Sequence, residues 1–511
     1  MKKLLMLSIG LLSTAYISAQ ELGVADAVRY SNDEIQGSAR FRAMGAAFGA
    51  LGGDMSSVNI NPAGSVIFNS SHASLSLGTF GKKNEVNYFN GLNTSTDTSI
   101  DLNQLGAAFV FVNRNSESRW KKFALSIAYD RSADFDDNWV ARGNNTNNSI
   151  GSYFLANAQG KFIDDISALP GETISEAYSA VGGLNNGFEN QQAFLGFEGF
   201  IIDPNDATPS ETDYVSNIDL EAGDYNQTYT YASRGYNGKL AFNFATSYDD
   251  KFYFGLNLNS HFINFERTTF LRESNSSVNS TITDVDFENN LLTTGSGFSF
   301  QLGGIAKVTE EFRVGLSYNS PTWYRISDET SQFLGTTRIE NGSSIRQTVN
   351  PNVINIYEEY RLQTPGKLTG SLAYIFGKKG LLSFDYSVKD FSNAQFRPNS
   401  DVFFSNLNNS ITNQLDTAVT YRLGGEYRFK QLSFRGGYRF EESPYKDDTV
   451  IGDLTGYSLG LGYSFGDFNI DVAFSQAEQE VNYQLYSVGL TDTAGIQTRF
   501  TDVIITLAFN I

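Results

Sequence analysis

Apolar and polar residues alternate along much of this chain, most clearly at its C-terminal end. Residues 498–511 read TRFTDVIITLAFNI, in which Val503, Ile505, Leu507 and Phe509 share one parity. Because successive side chains of a strand point to opposite faces, this segment predicts a strand with one continuous apolar face and one largely polar face. A closing strand of this kind is typical of an outer-membrane β-barrel, whose outer face contacts lipid.

The same period of two recurs from His72 onward. Thirteen further alternating segments precede the C-terminal strand, and residues 123–129 and 468–474 are typical of them. The links between them are alternately short turns and long polar stretches, the longest from about 132 to 235. Six turns, seven long loops and two ends on one side of the membrane also require fourteen strands. We therefore predict an all-β fold, a 14-stranded antiparallel transmembrane β-barrel over residues 71–511 with long extracellular loops.

The first twenty residues have the order of a secretion signal. Two lysines precede an apolar run over residues 4–12, and small residues stand just before Gln20. We expect residues 1–19 to be this signal, with cleavage near Ala19 and Gln20. The apolar run is too short to cross a bilayer as a helix.

Residues 20–70 do not alternate. They include the glycine-rich stretch RFRAMGAAFGALGGD at positions 40–54 and SSVNINPAG at positions 56–64. We predict a short helix near residues 24–30 and interpret the whole segment as a compact N-terminal plug, or hatch, for the barrel.

Composition supports this picture and limits the partners. The 511 residues include 41 Phe, 27 Tyr and 47 Gly but 9 Pro and no Cys. An excess of aromatic and glycine residues with few prolines suits long paired strands with aromatic girdles. The net charge of -19 argues against nucleic acid as a partner, because backbone phosphates require a basic surface.

Candidate chemistry is sparse. The two histidines, His72 and His261, are predicted at opposite ends of the barrel wall, and Ser260 points to the face opposite its neighbour His261. A Ser-His-acid arrangement needs hydrogen-bond contact, and a His/Cys metal site lacks ligands. We predict that the chain is not an enzyme, and we predict no cofactor and no metal.

Four stretches, taken in order and spacing, resemble a known family. They are GAAFGALGGD with the following NPAG, VGLSYNSP at 314–321, LQTPGKLTGSLAY at 362–374, and YRLGGEYRF at 421–429 with LSFRGGYRFEESP after it. The chain resembles the FadL-type outer-membrane transporters of hydrophobic compounds, the long-chain fatty acid transporter family, in the form common in Bacteroidetes.

The resemblance implies a function and partners. A fatty-acid-like hydrophobic molecule is captured by the extracellular loops, enters a plugged 14-stranded barrel and leaves sideways through a gap in the wall. Such a route is physically sensible, because an apolar molecule gains free energy by entering lipid rather than water. Outer-membrane lipid and lipopolysaccharide of a Gram-negative cell are the other implied partners, and we expect a monomer.

Seven plug residues are candidate site residues. Asn61, Pro62 and Ala63 match the hatch motif of the family, and we assign them either a gating role or a turn that links the plug to the first strand. Four apolar residues have the spacing of one helical face. They form either the floor of a ligand site or a packing contact with the wall: Phe41, Met44, Phe48 and Leu51.

Two further groups of residues have more than one interpretation. The long loop holds an apolar group that forms either a small core over the barrel mouth or an apolar docking site: Phe188, Phe194, Leu195, Phe197, Phe200, Ile201 and Ile202. Six ionisable residues on the polar parity of two adjacent strands either pair inside the lumen and stiffen the wall, which we favour, or form a ligand site: Arg422, Glu426, Arg428, Arg435, Arg439 and Glu441.

Two other functions fit the same pattern. Some FadL-like barrels serve protein secretion and hold a cargo protein at the outer mouth, for which long aromatic loops are equally suitable. A general porin is the other alternative, although a plug and an apolar lid argue against an open aqueous channel.

Overall fold

Fourteen antiparallel strands close into one barrel in the computed structural model, which describes residues 22–206, 208 and 211–511. Each strand pairs with the next, and the first pairs with the last from His72 opposite Asn510 to Asn87 opposite Gly495. The predicted number of strands and the closed barrel are thus confirmed, while the predicted secretion signal lies outside the described residues. The strands are β1 (His72–Tyr88), β2 (Gly91–Val112), β3 (Trp120–Asp134), β4 (Tyr225–Tyr248), β5 (Phe252–Asn275), β6 (Ile282–Lys307), β7 (Phe312–Asn319), β8 (Lys367–Ile375), β9 (Gly380–Asp390), β10 (Thr417–Phe429), β11 (Leu432–Glu441), β12 (Leu454–Ser464), β13 (Phe468–Gln484) and β14 (Thr493–Asn510).

The other elements lie inside the barrel or in its loops. The helices are α1 (Val24–Ser31), α2 (Ala39–Ala43), α3 (Ile150–Ala158), α4 (Ile174–Gly182), α5 (Gly187–Glu198) and α6 (Val402–Gln414), with 3-10 turns at Met55–Asn59, Pro62–Ile67, Ile163–Asp165 and Phe391–Asn393. Further strands are Asp137–Asn145, Ile202–Pro204, Tyr214–Ser216, Trp323–Glu340, Ser343–Val349, Asn355–Ile356, Tyr360–Gln363 and Gln395–Arg397, of which Trp323–Glu340 pairs with the outer part of β6. None of the described helices has the length and apolar character that crossing a bilayer requires.

The alternating parities face the directions that the sequence predicts. On β14, Ile505 is half exposed on the outside of the isolated chain, whereas its neighbour Thr506 faces inward and is buried. Aromatic residues such as Phe434 and Tyr438 are also exposed on the outer face. This apolar outer surface with aromatic residues is the surface that a barrel presents to lipid.

The apolar residues of the longest loop form a small core of their own. Phe194, Leu195, Ile201 and Ile202 are fully buried in one cluster with residues of α3 and of the outer ends of β4 to β6. Phe200 is the exposed member of the predicted group, and the guanidinium of Arg338 lies 4.2 Å from its ring centre. The loop therefore folds into a cap, which we define as residues 146–224.

The predicted ion pairs between β10 and β11 are present. Glu426 accepts from Arg435 Nε at 2.7 Å, and Arg439 lies 3.3 Å from Glu441. Arg422 also pairs with Glu441 and Arg428 with Glu426. Glu426 has an additional partner that the sequence pattern did not indicate, because Arg40 of the N-terminal segment donates to it at 2.9 Å.

Candidate functional site

Residues 22–71 lie inside the barrel as a plug and are hydrogen-bonded to the wall on several sides. Asp385 of β9 accepts from the backbone N–H groups of Phe48 and Gly49, and Thr506 of β14 accepts from that of Ala39. On the opposite side, Gln301 of β6 donates to the carbonyl oxygens of Asn59 and Ile60. Inward-facing polar side chains of the wall thus satisfy the backbone of a segment that has little regular secondary structure.

Asn61 joins the plug to the wall. Its Oδ1 accepts from the N–H of Ala63 at 3.1 Å and so caps the 3-10 turn that begins at Pro62. Its Nδ2 donates to the carbonyl oxygens of Gly49 at 2.8 Å and of Gly304 in β6 at 3.0 Å. A 3-10 turn is present at these residues, and one side chain connects two plug segments and a barrel strand. The gating role stays a prediction.

Two paired glycines make room for this turn. Gly255 of β5 lies opposite Gly303 of β6, and both face the plug. A β-carbon at position 255 would lie 2.3 Å from the carbonyl carbon of Pro62, and one at position 303 would lie 2.1 Å from Asn61 Oδ1. Glycine is therefore required at both positions for the backbone of the turn to approach the wall.

The four apolar plug residues do not share a helix. α2 ends at Ala43, and Gly45 and Ala46 both have positive φ, 59° and 60°, so the chain turns away. The predicted helical face is wrong for this reason. The four residues nevertheless meet in one fully buried cluster with Ala373 and Leu381 of the wall: Phe41, Met44, Phe48 and Leu51. This packing favours the wall-contact alternative, and their role as ligand contacts stays a prediction.

A helix, α1, is present where the sequence predicted one near residues 24–30. It reaches the outer end of the lumen. Tyr30 packs edge-on against Phe265 and Phe135, with ring centres 6.5 and 6.1 Å apart. Ala27 and Val28 belong to the same buried cluster, which also contains α6. We call this group the outer apolar cluster; its aromatic members include Tyr30, Phe135, Phe265, Tyr324, Tyr360, Phe391, Phe396 and Phe404.

A cavity of about 190 Å³ lies between the plug and the wall. It crosses the lumen, because strands on opposite sides of the barrel line it. Its wall combines charged and apolar side chains. The charged residues are Asp33, Glu34, Arg42, Lys82, Asp97, Asp134, Asp136, Lys367, Lys389, Arg422, Arg439, Glu441, Glu442 and Asp502, and the apolar ones include Ile35, Phe80, Phe391, Pro444, Leu454 and Phe500.

Two adjacent plug carboxylates face this cavity and bind opposite walls. Asp33 Oδ2 lies 2.9 Å from Lys367 Nζ of β8 and 3.6 Å from Lys389 Nζ of β9. Glu34 donates its N–H to the carbonyl oxygen of Ser132 in β3 at 2.9 Å and accepts at Oε2 from the N–H of Asp134 at 3.2 Å.

These two carboxylates differ in acidity. Burial by itself would raise the pKa of Asp33, but Lys367 and Lys389 outweigh it and hold that pKa well below its usual range. Desolvation raises the pKa of Glu34, and the opposing effects of Lys82, Arg131 and its hydrogen-bond donors are too weak to reverse this. Asp33 is therefore an anion at any physiological pH, whereas Glu34 takes up a proton more readily.

The wall has a seam between β2 and β3. Their backbone pairing runs from Val112 opposite Lys122 to Gln104 opposite Asp130 and stops there. Beyond that point β2 pairs with β1, while the end of β3 pairs with β4 through a register shift between Arg131 and Ala133. The outer halves of β2 and β3 thus lie side by side without a backbone ladder in the described chain.

Side chains and the plug cover this seam. Arg131 of β3 forms an ion pair with Asp101 of β2 across it and contacts Asp134 at 2.7 Å. Asn103 of β2 donates to the carbonyl oxygen of Gly37 in the plug. The cavity lies directly inside the seam, since Asp97, Thr98, Ser99, Asp134 and Asp136 line it.

Asp101, Asp134 and Asp136 have carboxylate oxygens within 4.8 Å of one another. Arg131 lies among all three, and its distance to Asp136 is 4.0 Å. A guanidinium is already bound among these carboxylates, so we interpret the group as an ion-pair network.

The histidines lie in separate polar environments of the wall. His261 Nε2 lies 2.8 Å from Ser299 Oγ, because β5 and β6 pair side by side there, and sequence reasoning considered only Ser260. His72 Nδ1 lies 3.1 Å from Asn510 Oδ1, and its ring stacks on Phe68. In the described part of the chain, no carboxylate hydrogen-bonds to either ring.

Sequence reasoning missed Asp33, Glu34, Asp101 and Arg131. Lys389, an ionised residue on the polar parity of a predicted strand, could have indicated them. A charge that faces the lumen requires a partner there, and the plug is the nearest source of one. No periodicity marked the plug residues themselves.

The comparisons with known proteins agree with this geometry. A family profile described as outer membrane protein transport protein (OMPP1/FadL/TodX) matches residues 190–511, which is more than half of the chain. The Pseudomonas putida toluene transporter TodX is 11% identical, with a TM-score of 0.51 over 94% of this chain and 100% of that chain. A Pseudomonas aeruginosa FadL homologue is 11% identical, with a TM-score of 0.52 over 94% of this chain and 99% of that chain.

The search of curated proteins gave no sequence match. At 11% identity the two solved structures bear on the fold alone, and they agree with a plugged 14-stranded barrel. The family is fixed by the profile match. The chain belongs to the OMPP1/FadL/TodX family of outer-membrane transport proteins.

Proposed function

We propose that this barrel takes up hydrophobic, fatty-acid-like small molecules across the outer membrane and releases them sideways into the membrane. The ligand is captured at the extracellular side, passes the outer apolar cluster into the cavity and leaves between β2 and β3. The family match supports the transport of hydrophobic compounds, and one structural neighbour is described as a toluene transporter.

The observation that carries the proposal is the coincidence of seam, cavity and plug. The β2–β3 ladder ends at Gln104 and Asp130, the cavity lies inside that point, and Glu34 and Gly37 of the plug bind on its inner side. A gap closed by side chains opens at a lower free-energy cost than a backbone ladder. An apolar ligand that leaves there enters lipid without crossing water.

In this proposal Asn61, Pro62 and Ala63 act as the fixed end of the plug. Their contacts with Gly49 and Gly304 hold one end of the plug on β6. The segment from Asn32 to Gln36 is then the part that moves, since it lines the cavity and bears the contacts with β3, β8 and β9. We propose the same limits as the sequence indicated, residues 20–70 for the plug and residues 71–511 for the barrel.

Native mass spectrometry of the barrel in mild detergent, with extraction of bound lipids, tests the proposal. We expect retained hydrophobic molecules and low ion conductance in planar bilayers. A barrel without a bound hydrophobic species but with a co-purifying protein at stoichiometric amount contradicts uptake and supports cargo docking. High conductance in the wild type contradicts it in favour of a porin.

An Asp101→Asn variant tests the lateral route separately. Loss of the carboxylate weakens the ion pair across the seam, so we expect faster release of a bound fluorescent fatty acid into lipid vesicles. Glu478→Gln is the matched control, because it weakens an ion pair between neighbouring strands at another place in the wall, where Glu478 of β13 lies 2.7 Å from Arg499 of β14. Equal release rates in the two variants contradict the lateral route.

A further inference from the structure

Asp33 is a single anion that pairs with two lysines. Lys367 and Lys389 lie on neighbouring strands, and both direct their ammonium groups at the single oxygen Oδ2 of Asp33. Their side chains are 17% and 12% exposed, whereas the Asp33 side chain is 47% exposed, toward the cavity. Arg422, Arg439, Glu441 and Glu442 line the next part of the cavity wall and balance one another in charge. The two lysines and one carboxylate therefore leave a surplus positive charge at this end.

The opposite end of the cavity is negative. At the seam, Glu34, Asp97, Asp134 and Asp136 line the cavity, and Lys82 is the lining cation on that side. Lys82 already donates to the backbone carbonyl of Asp136 at 2.6 Å. The field inside the cavity therefore draws an anion away from the seam and toward β8 and β9.

An apolar surface begins beside the lysines. The ring centre of Phe391 lies 5.2 Å from Lys389 Nζ, and Phe391 belongs both to the cavity wall and to the outer apolar cluster. Ile35 and Ala418 also line the cavity. A volume of about 190 Å³ equals roughly six water molecules, which accommodates a headgroup and a few methylene groups. The site thus offers cations at one point and hydrocarbon contact next to it.

We propose that Asp33 occupies the place of a ligand carboxylate, and that an anionic amphiphile with a carboxylate headgroup displaces it from Lys367 and Lys389. The ligand headgroup makes the same charge-assisted hydrogen bonds with the two ammonium groups. The displaced Asp33 then no longer ties the plug to β8 and β9. Headgroup recognition and release of the plug are one event.

The neighbouring contacts determine how far the release extends. Lys389 also donates to the carbonyl oxygen of Ser31, the last residue of α1, so a change at this lysine reaches the helix in the outer apolar cluster. Glu34 follows Asp33 directly and binds β3 at the seam. Displacement of Asp33 therefore loosens the plug at its outer helix and at the inner side of the seam.

This inference rests on the proposed uptake of hydrophobic molecules, and binding of radiolabelled oleate and of methyl oleate to the detergent-solubilised barrel tests it. Methyl oleate has the same chain without the charge. We expect Lys367→Gln/Lys389→Gln to weaken oleate binding at least tenfold and to leave methyl oleate within twofold. Asp33→Asn removes the internal competitor and is expected to strengthen oleate binding several-fold.

Lys378→Gln, in an exposed turn between β8 and β9, is the matched control for lost charge and is expected to bind both probes like the wild type. The inference is overturned if Lys367→Gln/Lys389→Gln leaves oleate binding unchanged. It is also overturned if Asp33→Asn leaves oleate binding unchanged or weakens it. Full displacement of oleate by millimolar acetate assigns the site to small carboxylates and also overturns it. Failure of the wild type to bind either oleate or methyl oleate instead contradicts the proposed uptake.

Discussion

Asn61 and Gly303 stand at a close approach of plug and wall, where a β-carbon on residue 303 would lie 2.1 Å from the Asn61 side-chain oxygen. Gly303→Val is therefore expected to push the turn at Pro62 away from β6, at a cost of about 1–3 kcal/mol. Hydrogen exchange of residues 55–67 should rise, while the barrel keeps its heat-modifiable mobility on gels. Gly370→Val is the control, because open space surrounds Gly370. Equal exchange in both variants would show that the approach does not position the plug.

Removal of the Asn61 side chain tests the anchor directly. Asn61→Ala leaves the carbonyl oxygens of Gly49 and Gly304 without their donor, which costs about 1–3 kcal/mol, and also removes the cap on the turn at Pro62. Asn61→Ser keeps an oxygen that can accept from the N–H of Ala63 and loses the bonds donated to Gly49 and Gly304. Chemical denaturation followed by proteolysis of the plug should rank the wild type above Asn61→Ser, and Asn61→Ser above Asn61→Ala. An Asn61→Ser variant no more stable than Asn61→Ala would show that the N-cap hydrogen bond contributes nothing.

Arg131 is expected to prevent cation binding at the seam. Arg131→Met leaves Asp101, Asp134 and Asp136 within 4.8 Å of one another without their guanidinium, so their mutual repulsion destabilises this part of the wall. Millimolar Ca²⁺ should raise the melting temperature of this variant by several degrees and leave the wild type unchanged. A comparable shift in the wild type would mean that the cluster binds cations despite Arg131.

The two plug carboxylates predict opposite responses to pH. Because the pKa of Asp33 is held far below 3.8, its contribution to plug stability is fully present above that pH and is lost only in stronger acid. Because the pKa of Glu34 is raised above 4.5, its contribution favours the protonated plug and is lost as pH rises through that raised value.

Conductance in planar bilayers between pH 4 and 8 measures this difference. Brief openings of the wild type should become more frequent as pH rises from 4.5, and Glu34→Gln should remove that dependence. Lys82, Arg131 and Asp134 lie near Glu34, and they are the same in both proteins. Asp33→Asn should increase openings about equally at every pH in this range. A wild type that opens only as pH falls would contradict the assignment of Glu34.

The cap is expected to depend on Glu273. This buried carboxylate of β5 accepts from the N–H of Ile150 at 2.8 Å and from Gln227 Nε2 at 2.7 Å, and it also accepts from Ser149 Oγ. Glu273→Ala leaves three buried donors unsatisfied, each at about 1–3 kcal/mol. Limited proteolysis should then cut within residues 146–224 at least tenfold faster while the barrel remains intact. Asp164→Ala, an exposed change within the cap, is the control.

The period-two pattern predicted the barrel closely because every strand repeats the same physical requirement, an apolar residue toward lipid and a polar or small one inward. The plug obeys no such period. The spacing of Phe41 and Phe48 suggested one continuous helix. The helix instead ends at Ala43, because Gly45 and Ala46 take positive φ. These residues still meet, because the wall brings them together.

For the charged contacts of the cavity, the sequence pattern indicates the strand residue and not its partner in the plug. Lys389 stood out on the polar face of a strand, but its partner Asp33 is 356 residues earlier in an irregular segment. The seam was also invisible, since β2 and β3 both alternate normally and only their pairing ends early at Gln104. Long-range partners and interrupted ladders depend on tertiary structure, which local patterns do not contain.

Uptake by cells tests the central claim most directly. The chain, expressed in a Gram-negative host that lacks its own uptake barrel for hydrophobic compounds, should restore accumulation of radiolabelled oleate or toluene. The variant Glu34→Cys/Ser132→Cys, whose disulfide would tie the moving segment of the plug to β3, should accumulate neither probe until a reductant is added, since the natural chain has no cysteine to interfere. No accumulation by the wild-type chain, or equal accumulation with the disulfide closed, would contradict uptake through a plugged barrel.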